Sequence, residues 1–100
     1  MKVNAAFIFI APEADASKHN AFIETAIVDL KVVGVKDYAD AEAVAKKLVA
    51  DGVAAIELCG GFGNEGTARI AAAVGDKAKV GVVRFDCHPG LEFKSGDELF

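Results

Sequence analysis

Little in this sequence of 100 residues announces a function, and what is scarce is informative. Two cysteines, Cys59 and Cys87, are too few for a disulfide framework, so in a reducing compartment they are expected as free thiols or metal ligands. Positive charge is in deficit: 11 Lys and Arg stand against 15 Asp and Glu, a net charge of −4. Such a chain has no basic field to draw in a phosphate backbone, and nucleic acid is excluded as an expected partner. Long apolar runs are missing too. The run Ala5 to Ala11 is far shorter than the roughly 20 residues a membrane span requires, and Pro12-Glu13 closes it. Only Lys2 precedes it and no small-residue cleavage site follows, so it does not read as a secretion signal, and the protein is expected in the cytoplasm with no membrane partner. No linker, low-complexity segment or convincing repeat divides the chain, which predicts one domain over residues 1–100.

What the sequence does have is apolar content. At 53% it exceeds the usual range of about 45–50%, although many of these residues are alanines. A domain this small has a high ratio of surface to volume and does not hide all of that alone, so a homo-oligomer is expected.

The pattern along the chain is that of alternating strands and helices. Val3 to Ala11 reads as a strand buried on both faces, because Phe7, Ile8, Phe9 and Ile10 run without a polar break. Asp15 is placed to cap a short helix through about Thr25, with Phe22, Ile23 and Ala26 at helical spacing. A second strand spans Asp29 to Val35. The clearest helix opens at Asp37, with Ala41, Val44, Ala45, Leu48 and Val49 on one stripe, and Gly52 ends it. A third strand, Val53 to Cys59, runs into a glycine-rich loop. The next helix buries Thr67, Ile70, Ala71 and Val74 and stops at Gly75; a fourth strand spans Lys79 to Asp86. The residues from Cys87 onward read as a docked tail containing a Pro89-Gly90 turn. Strands and helices alternating in this way predict an α/β fold of parallel βαβ units. The expected architecture is a three-layer sandwich with a four-stranded, mainly parallel sheet in the order 2-1-3-4, a flavodoxin-like or Rossmann-like half.

In such a sheet the carboxyl ends of all strands meet one edge, and ligands bind there. That edge gathers Ala11-Pro12-Glu13, Lys36-Asp37-Tyr38, Cys59 to Gly66 and Asp86-Cys87-His88-Pro89. Gly61-x-Gly63-x-x-Gly66 follows a strand, opens a helix and has Asp86 roughly twenty residues on, which is the pattern of a nucleotide or dinucleotide fingerprint. It follows the third strand instead of the first, however, no second nucleotide-binding half exists, and Glu65 would repel a phosphate at the helix start. A tight turn that needs glycine for its backbone angles is the plainer alternative. Thr67 and Ala68 stand where a phosphate-binding Walker loop needs a lysine and a hydroxyl, so that motif is excluded. Cys59, Cys87 and His88 are the candidate catalytic groups, as a thiolate paired with an imidazole. A metal site is not expected, since adjacent residues on an extended backbone point apart and no CxxC spacing is present. Glu57 and Arg84, placed inside strands that otherwise read as buried, are expected to pair across the sheet.

Four segments, Ala5-Phe7-Ile8-Phe9, Val33 to Tyr38, Glu57 to Gly63 and Val82 to Gly90, resemble a family of short prokaryotic proteins known only as a domain of unknown function. The likeness runs the length of the chain. It implies a stand-alone cytoplasmic protein and brings no catalytic residues with it. The sequence therefore predicts a protein that binds a small anionic metabolite at the carboxyl edge. Gly60, Gly61, Phe62, Gly63 and Asn64 would form a cradle, with Arg84 as counter-charge and Asp86 beside it; no cofactor and no reaction type is named. The competing expectations are a non-catalytic oligomeric or partner-binding module, and nucleotide binding through the glycine fingerprint.

Overall fold

The unbroken apolar run near the N-terminus becomes the middle strand of a five-stranded sheet in the computed structural model, which describes residues 2–100. In chain order the elements are β1 (Val3–Ile10), β2 (Asn20–Glu24), β3 (Val28–Val35), α1 (Tyr38–Ala50), β4 (Ala55–Leu58), α2 (Asn64–Val74) and β5 (Lys79–Val82). The order across the sheet is β2-β3-β1-β4-β5, with β2 antiparallel to β3 and every other pairing parallel. The α/β class and the expected order of the four parallel strands hold, with β2 added at one edge.

The expected helix from Asp15 to Thr25 is corrected to a turn followed by β2. Asp15 accepts hydrogen bonds from the backbone N–H and hydroxyl of Ser17 instead of opening a helix. Beyond it Ala21 and Ile23 alternate with Phe22, a period of two that satisfies a hairpin as well as the wider spacing satisfies a helix. Thr25 closes the hairpin: its hydroxyl donates to the Val28 carbonyl at 2.7 Å and accepts from the Val28 N–H at 2.8 Å.

This one change removes a layer. A chain leaving β1 and re-entering parallel as β3 must travel back along the sheet; a helix would make that journey across the face, whereas β2 makes it in the plane. The two helical crossovers, β3 to β4 and β4 to β5, advance in the same direction, so right-handed connections place α1 and α2 together on one face, where they pack against each other. The expected three layers are thus two. Ala6, Ile8 and Ile10 of β1, Ile56 and Leu58 of β4, and Val33 and Val35 of β3 point into the helical layer and are buried. Burying side chains such as Ile8, Ile56 and Leu58 contributes about 1.5–3 kcal/mol each. Alternate residues on the other face, among them Phe7, Phe9, Leu30 and Val32, are only half-buried.

Helix boundaries follow the sequence closely. Asp37 caps α1, its carboxylate accepting from the Asp40 N–H at 2.8 Å, and Ala41, Ala45 and Leu48 form the buried stripe. Gly52 follows at φ 99°, in the region open to glycine. Strand β5 is shorter than expected and stops at Val82, which leaves Arg84 and Asp86 beyond the sheet. The tail does dock, as two single 3-10 turns at Pro89–Leu91 and Gly96–Glu98.

Candidate functional site

The glycine-rich loop leaves β4 through Cys59, whose sulfur turns inward. Its Sγ accepts from the backbone N–H of Ile10 at 3.4 Å and of Gly61 at 3.3 Å, tying the ends of the two central strands together. Phe62 is fully buried and its ring stacks on Tyr38, centroids 5.7 Å apart. Gly63 then caps α2 with no side chain of its own.

The partner that completes this helix start comes from the far end of the chain. Asp97 accepts from the Tyr38 hydroxyl at 2.7 Å and the Gly66 N–H at 3.0 Å through one oxygen, and from the Glu65 N–H at 2.9 Å through the other. Tyr38 in turn accepts from the Gly63 N–H at 3.0 Å. The positive end of the α2 dipole is therefore met by the chain's own carboxylate. The glycines serve that contact: a side chain on Gly63 would strike the Asp97 carboxylate, and one on Gly66 the Tyr38 ring. Ser95 and Glu98 hold the turn carrying Asp97 with a reciprocal capping box. Burial pushes the Asp97 carboxyl up, but hydrogen bonds from Tyr38 and from the amides of Glu65, Gly66 and Asn64 outweigh it and keep the group below its ordinary range. Burial, then the bond to Asp97, pushes the Tyr38 phenol well above its usual value. The Arg69 guanidinium lies over the Tyr38 ring at 5.5 Å, held there by Glu42.

Facing this wall, the segment after β5 is open. Arg84 pairs with Asp86 at 2.9 Å, with side chains 69% and 71% exposed. The expected pair between Glu57 and Arg84 is corrected: Glu57 stands opposite Gly81 and is exposed on the face away from the helices, because β5 ends before Arg84. The Phe85 ring rests on Gly60 and packs against the half-buried His88 ring, centroids 4.6 Å apart. The Nδ1 atom of His88 accepts from the Gly90 N–H at 2.9 Å.

The structure brings part of the expected constellation together. Phe62, Gly63, Asn64, Arg84 and Asp86 line one cleft of about 60 Å³, joined by Thr67 and Ser95, which the sequence reading missed. Gly60 lies beneath Phe85 and Gly61 against Ile10, both behind the cleft wall. Cys59, Cys87 and His88 do not line it. Cys87 is exposed, and both cysteines are free thiols. Among the described residues no three His, Cys, Asp or Glu side chains are grouped to hold a metal ion. A wider hollow of about 630 Å³ lies at the opposite edge, between the last turns of α1 and α2, with Lys46, Val74, Gly75 and Lys77 on its walls. Helix carbonyl ends there disfavour an anion. No helix among the described residues is long and apolar enough to cross a membrane.

Asp97 is the functional-looking residue that sequence reasoning missed; Tyr38 is expected at this edge but not as its partner. The one local signal was Ser95-Gly96-Asp97-Glu98, an S-x-x-E pattern that marks a capped turn and so a fixed position for Asp97.

Compared with known proteins, residues 3–98 match the model of a family of unknown function (DUF6506), in line with the resemblance carried by the four segments. No curated protein and no solved structure matches the chain.

Proposed function

We propose, from the premise that the chain belongs to the DUF6506 family, that this protein binds a small anionic group at the carboxyl edge of its sheet. The observation that carries the reading is the cleft between the start of α2 and the segment after β5, with the exposed Arg84 guanidinium on its wall. It lies at the carboxyl edge, between the loop after β4 and the segment after β5, one strand over from the point between β1 and β4 where the strand order reverses. Its volume of about 60 Å³ suits one carboxylate- or phosphate-sized group and not a whole nucleotide.

The chemistry of the walls narrows the ligand. Asp97 already takes the amides at the helix start, so the ligand's charge is met by Arg84, with Asn64, Thr67 and Ser95 as polar neighbours. Asp86 beside Arg84 disfavours a bare dianion and favours a molecule that offers a donor next to its acceptor oxygens, as a hydroxy- or amino-carboxylate does. No thiol or imidazole lines the cleft, so the expected chemistry of Cys59, Cys87 and His88 has no part in this reading. The fingerprint Gly61-x-Gly63-x-x-Gly66 gives nucleotide binding no support, since its glycines are pressed against Ile10, Asp97 and Tyr38 of the same chain.

Thermal unfolding tests this. Millimolar phosphate and a set of small hydroxy- and amino-carboxylates are expected to include at least one that raises Tm by mass action, with the rise lost in Arg84→Gln; NAD is expected to leave Tm unmoved. A panel without effect, or an Arg84→Gln protein that responds as the wild type does, sinks the reading.

A further inference from the structure

The sheet has one face under helices and one under nothing, and the uncovered face belongs to strands that rarely stay that way. Parallel strands are found almost only with both faces covered, whereas antiparallel sheets commonly leave one face to water. Here β3, β1, β4 and β5 are parallel. Their register puts Ala5, Phe7 and Phe9 of β1 beside Leu30, Val32 and Gly34 of β3 on the open side. Ile23 of β2 extends the same surface next to Leu30, and Val3 lies at its lower end; both are about half exposed. The Phe9 ring lies across Gly34, where an added side chain atom would clash with it, so the surface is packed within itself and not a frayed edge.

We propose that this open sheet face is the contact surface between two copies of this chain, stacked sheet on sheet. Charge argues for a second copy as the occupant. The chain carries −4 overall, which makes copies repel. On the open face the strand register places one acidic residue, Glu57, and one basic residue, Lys79, both toward the β4–β5 flank, and Glu13 and His19 stand beside Phe9 at the carboxyl end, so charge is confined to the rim and the centre around Phe7 and Val32 is neutral. This is the part of an acidic molecule that meets itself without repulsion, and a two-fold pair presents the same patch from both sides. The area is sufficient. Five strands about 4.8 Å apart and some 20 Å long give roughly 500 Å² per copy and about 1,000 Å² for the pair, the lower bound for a specific interface. Stacked sheets lie about 10 Å apart, a spacing that facing Phe, Leu and Val side chains fill.

The two faces of β2 supply the test, because neighbouring residues there point opposite ways and both are exposed, Ile23 50% toward the open face and Phe22 59% toward the helical side. Sedimentation equilibrium on the wild type is expected to give twice the 10.4 kDa chain mass. Ile23→Lys and Ala21→Lys, on the open side, are expected to raise the dimer Kd by about 100-fold or more, since each would bury a lysine without a partner. Phe22→Lys is expected to leave Kd within about 3-fold, and circular dichroism reports whether each variant stays folded. A monomeric wild type at several hundred micromolar overturns the proposal, and so does a dimer that Phe22→Lys and Ile23→Lys weaken equally or that neither weakens. A third variant, Val32→Lys, guards against an effect confined to the edge strand: a dimer it leaves intact places the contact elsewhere.

Discussion

The two walls of the carboxyl-edge cleft are built on opposite plans. The loop from Cys59 to Gly66 is locked: its ring is buried, its amides are bonded, and the helix it opens is capped by Asp97 from the other end of the chain. The segment from Val83 to His88 is bonded at its two ends, Val83 to the Leu58 carbonyl and His88 to the Lys94 carbonyl, and between them it rests on Phe85 against Gly60 and His88 and on one exposed ion pair. A loop that looks from its glycines like the flexible, ligand-shaped part of the molecule is the more tightly bonded part, and the exposed Arg84 sits on the more open side. Under the proposed binding, a wall already bonded in place costs little further ordering.

The largest expected disruption of that contrast comes from removing the clasp. Asp97→Ala strips the Tyr38 hydroxyl and the amides of Glu65 and Gly66 of their acceptor and is expected to cost about 3 kcal/mol in urea unfolding at fixed protein concentration. Next is Tyr38→Phe, which leaves the Gly63 N–H without an acceptor and takes one of the two donors from an Asp97 oxygen that keeps the Gly66 N–H; about 2 kcal/mol is expected by the same measurement. The acid limb of stability sharpens the point further. Because Asp97 is held below its ordinary value, its ionised form stabilises the fold at any pH above the unfolded aspartate range near 4, and that contribution is lost as pH falls through the lower folded value. The urea midpoints of wild type and Asp97→Asn are therefore expected to converge below about pH 4, and a constant gap down to pH 2 would exclude Asp97 as the source. The smallest effect belongs to the other wall. Arg84→Gln is expected to change stability by under 0.5 kcal/mol, since an exposed pair contributes little.

Much of this architecture was legible. The run Phe7 to Ile10 marks the middle strand of the parallel set because so apolar a stretch is drawn to the centre of a sheet. Its expected burial on both faces is corrected: helices cover the side of Ile8 and Ile10 and leave Phe7 and Phe9 half-buried, because β2 took the place of the helix that would have covered them. The stretch Asp15 to Thr25 misled because Phe22, Ile23 and Ala26 fit a helix while Ala21 and Ile23 fit a strand. The Thr25–Val28 turn carries no glycine, proline or asparagine to decide between them. Losing that helix also lost the third layer. At the site, Phe62, Asn64, Arg84 and Asp86 converge as residues at neighbouring strand ends should. The pairing of Asp97 with Tyr38 spans 59 residues, and no local pattern reports a contact at that distance.

That same span sets a sequence of events. The pairing of β1 with β3 and the crossover through α1 close shorter stretches of chain, and short closures form early because they sacrifice less chain entropy. The Asp97 clasp forms only when residues 38, 63–66 and 97 are all in place, so the glycine loop takes its final shape only once the starts of both helices and the C-terminal turn have come together. Pulse-labelled amides of Glu65 and Gly66 would gain protection later than those of β1.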